Sequence, residues 1–126
     1  MVWRGGTNLN GKMKCWIYVT TQHEFIHQYI DAPEEVGYLR FPHRHLAHIK
    51  VQIEVFNDDR EIEFILCKHW LDKELRLASY TDMSCEAVAR YILKLVQEKY
   101  PGERDVIVEV NEDNENGAIV EYRKDE

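Results

Sequence analysis

The chain has 126 residues, of which 44% are hydrophobic and 31% are charged, and its formal net charge is −7. This size predicts one domain with one core, and the composition is ordinary for a soluble globular protein. The acidic balance excludes the basic footprint that binding to a nucleic-acid polymer requires. No apolar run approaches the length of a membrane span, about 18 residues. We therefore expect neither a nucleic-acid polymer nor a membrane as a partner. A small anionic ligand in a local pocket stays compatible with this charge.

The three cysteines, Cys15, Cys67 and Cys85, are odd in number, far apart and embedded in apolar patterns. This usage favours reduced thiols over a disulfide framework. No signal peptide is recognisable at the N-terminus. Together these features predict a cytoplasmic protein.

Residues 1–13 are predicted to form an N-terminal arm, because glycines and asparagines dominate them. A single domain is then predicted over residues 14–126. Its first strand places alternate residues on one face, and these are Cys15, Ile17, Val19, Thr21, His23, Phe25 and His27. Residues 31–37 are predicted to form a loop, with a short helical turn opening at Pro33.

The second strand begins among histidines. Its later part alternates apolar and polar residues, which are Ile49, Lys50, Val51, Gln52, Ile53, Glu54 and Val55. Carried backwards, this alternation puts His43 and His45 on one face, where two parallel imidazoles can share a metal ion. A third ligand must come from elsewhere, and His23 and His27 are the candidates. His48 has the opposite parity and is expected on the other face.

This strand is predicted to turn at residues 57–60 and to return over residues 61–64 as a hairpin. Two helices follow. The first has a buried stripe at helical spacing, formed by Phe64, Cys67, Leu71 and Leu75. Residues 78–82 are the predicted link. Ser84 is the predicted N-cap of the second helix, with Glu86 in its first turn, where a carboxylate suits the helix dipole.

The second helix has its own predicted buried stripe, formed by Cys85, Val88, Ala89, Ile92, Leu95 and Val96. It is predicted to end at Pro101-Gly102. Two strands close the chain, one over residues 106–110 and one over residues 118–122, with an acidic turn between them. The order of strands, helices and strands predicts an α+β fold, in which both helices cover one face of a four-stranded antiparallel sheet.

Several motifs occur in a characteristic order: His27 at the end of the first strand, His43-Arg44-His45, residues 61–64 running into a helix, Ser84-Cys85-Glu86, and residues 108–112. Together they resemble the 6-pyruvoyltetrahydropterin synthase and 6-carboxytetrahydropterin synthase family, which has the tunnelling fold. The resemblance covers residues 14–122. It implies a zinc ion held by His27, His43 and His45. The family spacing fits His27 better than His23, which with His48 is a further candidate at the site.

The resemblance also implies a pterin-like ligand. In that family the penultimate strand ends in a glutamate that anchors the pterin, which corresponds to Glu112 here. Such a carboxylate accepts two N–H bonds from a guanidine-like edge. The alternative for Glu112 is one more acid in an acidic turn. Glu86 is expected mainly as an acid of the helix's first turn, with a ligand contact as the alternative.

The departures from the family bear on its lyase chemistry. The family's catalytic cysteine position is Leu39 here, and a Leu-Asp-His motif is not found after the first helix, where residues 75–78 lie. A thiolate and an Asp-supported histidine move protons in those enzymes. We therefore expect a protein that binds a pterin, purine or nucleotide-derived molecule without the lyase step, for example a ligand-sequestering protein.

Two alternatives stay open. One is a zinc-dependent lyase-like enzyme whose catalytic groups are unfamiliar, such as His23, Asp31 or His48. The other is a structural or interaction protein with a vestigial site. The family further implies a homo-oligomer, with a hexamer favoured, in which sheet edges join into a closed barrel and ligand pockets lie between subunits. Closure of this kind removes unpaired strand edges.

Overall fold

The computed structural model describes residues 13–124. It contains one mixed set of strands and helices: β1 (Cys15–His27), β2 (His43–Val55), α1 (Phe64–Leu77), α2 (Cys85–Lys99), β3 (Val106–Glu112) and β4 (Asn116–Tyr122). A 3₁₀ segment, Glu34–Arg40, follows Pro33 in the β1–β2 connection. The strand order is β1-β2-β3-β4, and every neighbouring pair is antiparallel. The predicted α+β class and four-stranded antiparallel sheet are therefore confirmed.

Both helices cover the same face of the sheet. Alternate residues of β2 and β3 are almost fully buried and form one cluster with the buried stripes of the helices, as in Ala47, Ile49, Val51, Ile53, Val108, Val110, Leu71, Leu75, Val88 and Ile92. Burial of this apolar area is the main stabilising term of the fold. Of the predicted arm, only Met13 lies within the described residues, and it is exposed.

The opposite face of the sheet and its two edges are uncovered. Within residues 13–124, β1 and β4 each pair with a neighbour on one side only. Large side chains on the uncovered face are exposed, among them Tyr18 at 62% and Ile119 at 60%. None of the helices that the structure describes is long and apolar enough to cross a membrane.

The predicted return strand over residues 61–64 is wrong. Glu61 instead closes the turn, because its Oε1 accepts hydrogen bonds from the backbone amides of Phe56 at 2.6 Å and Asn57 at 3.1 Å. Glu63 accepts from the amide of Ile65 and caps α1. Phe64, which was predicted to be buried, is the first residue of α1 and is 53% exposed. The Glu-Ile-Glu-Phe sequence alternates polar and apolar residues as a strand does. Its two carboxylates instead accept backbone hydrogen bonds, one in the turn and one at the start of the helix.

The start of α2 is fixed against the end of β1. As predicted, Ser84 is the N-cap, and its hydroxyl accepts a hydrogen bond from the amide of Ala87 at 3.1 Å. The amide of Gln28, just after β1, donates to the carbonyl of Thr81 at 2.8 Å. The segment before α2 therefore lies beside the end of β1, next to the first residues of β2 and the last of β3.

Candidate metal centre and adjoining cleft

The register of β1 and β2 brings three histidines together. His27, the last residue of β1, pairs directly with His43, the first residue of β2, and His45 follows two residues later on the same face. The ring centroids lie 4.6 Å apart for His27 and His43, 5.3 Å for His27 and His45, and 5.0 Å for His43 and His45. One nitrogen from each ring lies within 4.8 Å of the others, a cluster that can hold a metal ion.

Each imidazole is fixed through its Nδ1 atom. The Nδ1 of His27 lies 3.0 Å from the carbonyl of Met83, that of His43 lies 2.8 Å from the carbonyl of Phe41, and that of His45 lies 2.7 Å from Oδ2 of Asp113. Carbonyl and ionised carboxylate oxygens only accept hydrogen bonds. All three Nδ1 atoms therefore donate, which leaves the Nε2 lone pair of each neutral ring for a metal ion.

Asp113 fixes the orientation of the His45 ring. It follows β3 in the left-handed conformation, with φ at 57°. Its Oδ1 accepts from the amide of Leu46 at 2.9 Å, while its own amide donates to the carbonyl of Leu46 at 2.8 Å. The hydrogen bonds from His45 and Leu46 lower the pKa of Asp113. An ionised acceptor behind a ligand histidine orients the ring and raises its basicity.

Glu112 lies on the open side of the cluster. It pairs with Ala47 in the β2–β3 register, so its side chain projects from the face that carries the histidines. Its Oε1 lies 3.4 Å from Nε2 of His27 and its Oε2 lies 3.3 Å from Nε2 of His45. The Cys85 thiol donates to Oε1 across 3.6 Å. Burial and the Glu112 charge raise the pKa of Cys85 to about 12, so the thiol keeps its proton.

The donor set fits zinc. Three imidazoles are fixed through Nδ1, and one nitrogen of each lies within 4.8 Å of the others. This donor set is that of zinc sites with three protein ligands and a further position. The Nε2 of His45 is buried and, among the described residues, has no hydrogen-bond partner. A buried nitrogen lone pair without a partner is costly, and coordination of a metal ion would remove that cost.

A cleft of about 650 Å³ adjoins the cluster. Its walls come from the end of β1, the β1–β2 connection, the start of α2 and the β3–β4 hairpin, with His27, Leu39, His43, Cys85, Glu86 and Glu112 among the lining residues. Gly117 also lines it. A side chain there would collide with the backbone of β3, because a Cβ atom would lie 2.2 Å from the carbonyl oxygen of Val110.

The structure brings His27, His43 and His45 together, while His23 and His48 lie elsewhere. His23 is on the same face of β1 as His27, but about 13 Å away along the strand, and its Nε2 donates to Asp72 at 3.1 Å. Burial alone would raise the pKa of Asp72, but hydrogen bonds from Thr21 and His23 outweigh it and lower that pKa.

His48 and Asp31 are both outside the cluster. His48 pairs with Gln22 and projects from the uncovered face of the sheet, as its parity predicted. It lines a separate cavity of about 440 Å³ together with Lys50 and Glu109. Asp31 is exposed in the β1–β2 connection.

Two residues of the site were not recognised in the sequence. Asp113 was part of an acidic turn, and Cys85 was assigned to the buried stripe of α2. Cys85 is half-buried at the first turn of α2, where its thiol reaches Glu112. The signal for Asp113 was its place directly after Glu112, at the end of a strand that pairs with the histidine strand.

No protein-family model matches the chain, and no curated protein matches its sequence. The resemblance to the pterin synthase family therefore stays a prediction.

Proposed function

We propose that the protein binds zinc through His27, His43 and His45 and binds a pterin, purine or nucleotide-derived small molecule in the adjoining cleft. In this proposal it is a divergent member of the pterin synthase family. The observation that carries the proposal is the cluster of three imidazoles at the wall of a cleft of about 650 Å³. One nitrogen of each ring lies within 4.8 Å of the others, and each ring is fixed through Nδ1.

The cleft has the size and chemistry for a small heteroaromatic ligand. Ligand sites commonly enclose about 300–1,000 Å³ and combine apolar walls with a few polar groups. Glu86 and Glu112 offer carboxylates to N–H groups of a ligand, and Leu39 offers apolar contact. A bound zinc ion would polarise a carbonyl or hydroxyl of the ligand.

We also propose that copies of the chain assemble through the edges of β1 and β4 into a closed barrel, with a hexamer favoured. This is supported by two edges that pair on one side only within residues 13–124. Apolar side chains of the β1–β2 connection are also exposed, with Tyr38 at 71% and Phe41 at 70%. Exposed edges and apolar patches are removed from water by oligomerisation.

Metal analysis tests the centre. The purified protein is expected to contain one zinc ion per chain by elemental mass spectrometry. The variants His43→Ala and His45→Ala are expected to lose it, because each removes one of three ligands. The variant His48→Ala is the matched control, since it removes a histidine of the same strand from the opposite face. Wild-type protein that binds no zinc when zinc is supplied would refute the metal centre.

Calorimetry with 7,8-dihydroneopterin and with guanosine tests the cleft. We expect binding of at least one probe to the zinc-loaded protein, weakened about 10-fold or more by Glu112→Gln or Glu86→Gln, because hydrogen bonds to a charged group contribute about 1.5–3 kcal/mol. Glu115→Gln, a change of an exposed acid in the β3–β4 turn, is the control. Unchanged affinity in both cleft variants would remove the acids from ligand recognition.

A zinc-dependent lyase of the 6-pyruvoyl or 6-carboxytetrahydropterin synthase type is a second candidate. The observation that favours it is that Cys85 and Leu39 line the same cleft, so a thiol reaches this space from α2 although Leu39 occupies the family's cysteine position. Turnover of 7,8-dihydroneopterin triphosphate, abolished in Cys85→Ala, would support it. Binding of this compound without turnover would support the non-catalytic function.

A further inference from the structure

The Glu112 carboxylate lies beside two of the three clustered imidazoles. Its oxygens lie 3.4 Å from Nε2 of His27 and 3.3 Å from Nε2 of His45. In a tetrahedral zinc site with bonds of about 2.0–2.1 Å, neighbouring ligand atoms are separated by about 3.3–3.4 Å. Each of the two distances, which start from different carboxylate oxygens, equals the separation of neighbouring ligand atoms in such a site. The carboxylate is therefore within reach of an ion bound to these imidazoles.

When both rings are neutral, the electrostatics of this contact favour a metal ion. Because the Nδ1 atoms of His27 and His45 donate to Met83 and Asp113, the Nε2 lone pairs of the neutral rings face the Glu112 oxygens. Lone pairs on both sides of a contact repel each other, and no hydrogen bond joins Nε2 of His45 to any described residue. A divalent ion between these atoms converts the repulsion into coordination by all of them.

The backbone holds Glu112 in this place. It is the last residue of β3, and Asp113 directly after it is fixed to Leu46 and His45. The Cys85 thiol donates to Oε1 from the opposite side. Ala47, which lies across from Glu112 in the sheet, is fully buried and too small to keep the carboxylate away from the imidazoles.

We infer that Glu112 is the fourth ligand of the metal ion in the unliganded protein, so that the centre consists of three histidines and one glutamate. This inference rests on the proposed zinc centre and deepens it. The resting site is closed, and a small molecule in the cleft gains access to the ion only by displacing the carboxylate. A displaced Glu112 then becomes available to accept N–H bonds from the ligand, which reconciles its position at the ion with a role in recognition.

Cobalt(II) is the probe that tests this inference, because its visible absorption reports coordination number and ligand type. The full chain loaded with cobalt is expected to give an intense four-coordinate spectrum that millimolar azide leaves unchanged. Glu112→Gln is expected to bind cobalt at least about 10-fold more weakly and to give a spectrum that responds to azide. Glu115→Gln, which alters an exposed acid of the β3–β4 turn, is the control and should behave as wild type.

Two results would overturn the inference while leaving the metal centre standing. One is a wild-type cobalt spectrum that shifts with azide, which needs no variant and does not depend on the folding of one. The other is an affinity and spectrum of Glu112→Gln equal to those of wild type. Failure of the wild-type chain to bind cobalt or zinc at all would instead refute the proposed function together with this inference.

Discussion

His45 is held between two acids of the β3–β4 hairpin. Its Nδ1 donates to Asp113 and its Nε2 faces Glu112, so one ring contacts both carboxylates. The two neighbouring acids Glu112 and Asp113 therefore have different roles. In our proposal Glu112 binds the metal ion directly, while Asp113 acts through the histidine.

Replacing Asp113 with Ala is expected to weaken zinc binding about 10–100-fold, the usual cost of removing an outer partner of a ligand histidine. The physical reason is that His45 loses the acceptor that fixes its tautomer and orientation. Competition titration with a chromogenic chelator measures the affinity. Glu115→Ala changes another acid of the same turn and should leave zinc affinity unaltered. Equal affinities of Asp113→Ala and wild type would exclude the supporting role.

Asp105 is a buried carboxylate at the opposite end of β3, and it makes stability depend on pH. Burial alone would raise its pKa, but the Lys14 ammonium, the amide of Lys124 and the charge of Arg123 outweigh burial, so the pKa lies below its usual value of 3.8. A depressed pKa in the folded state adds stability above pH 3.8 that is lost as the pH falls through the folded value.

We therefore expect Asp105→Asn to lower the free energy of unfolding at pH 7 by about 1–3 kcal/mol. The difference from wild type should shrink below about pH 4, since acid protonates the wild-type carboxyl group. Urea unfolding at pH 7, 5 and 3 measures it. Glu98→Gln, at an exposed position of α2, should show no such pH dependence. A difference that stays constant across this range would contradict the assignment.

Among the elements, the start of α2 contacts the histidine cluster and Glu112. Ser84 is the N-cap of the helix. The carbonyl of the preceding Met83 accepts a hydrogen bond from His27, and the thiol of the following Cys85 donates one to Glu112. We expect Ser84→Ala to lower the free energy of unfolding by about 1 kcal/mol, the usual cost of losing an N-cap. Zinc affinity should fall as well, because the acceptor of His27 is less well fixed.

Thermal unfolding and chelator competition measure the two effects of Ser84→Ala. Ser79→Ala, in the exposed link before α2, is the matched control and should change neither quantity appreciably. Loss of stability without any loss of zinc affinity would show that the cap stabilises the helix alone.

The elements were largely predictable because their periodicities are strong. The alternation through β1 and β2 predicted both strands and placed His43 and His45 on one face. The return strand over residues 61–64 was wrong because short alternation does not distinguish a strand from carboxylates that close a turn and cap a helix. Asp113 was missed because its contact joins residues 68 positions apart in the chain and depends on the β2–β3 register, which local patterns do not encode.

At the scale of the whole molecule, assembly is the open prediction. We expect native mass spectrometry to give six times the chain mass, with six zinc ions, because the sheet presents two edges that pair on one side only within the described residues. Removal of zinc with a chelator, followed by the same measurement, shows whether the ion is needed for assembly. A monomer at micromolar concentration in the presence of zinc would contradict the oligomer.

The pairing of His27 with His43 across the β1–β2 connection has a consequence for the chain between them. These residues stand at the two ends of the segment 28–42, so an ion bound to both closes a ring of polypeptide. Cross-linking the ends of a loop restricts the unfolded chain and favours the native arrangement. The proposed ion would thus tether both ends of the segment that carries the exposed Tyr38 and, in the wall of the cleft, Leu39. Loading the centre would then also shape the entrance through which a ligand passes.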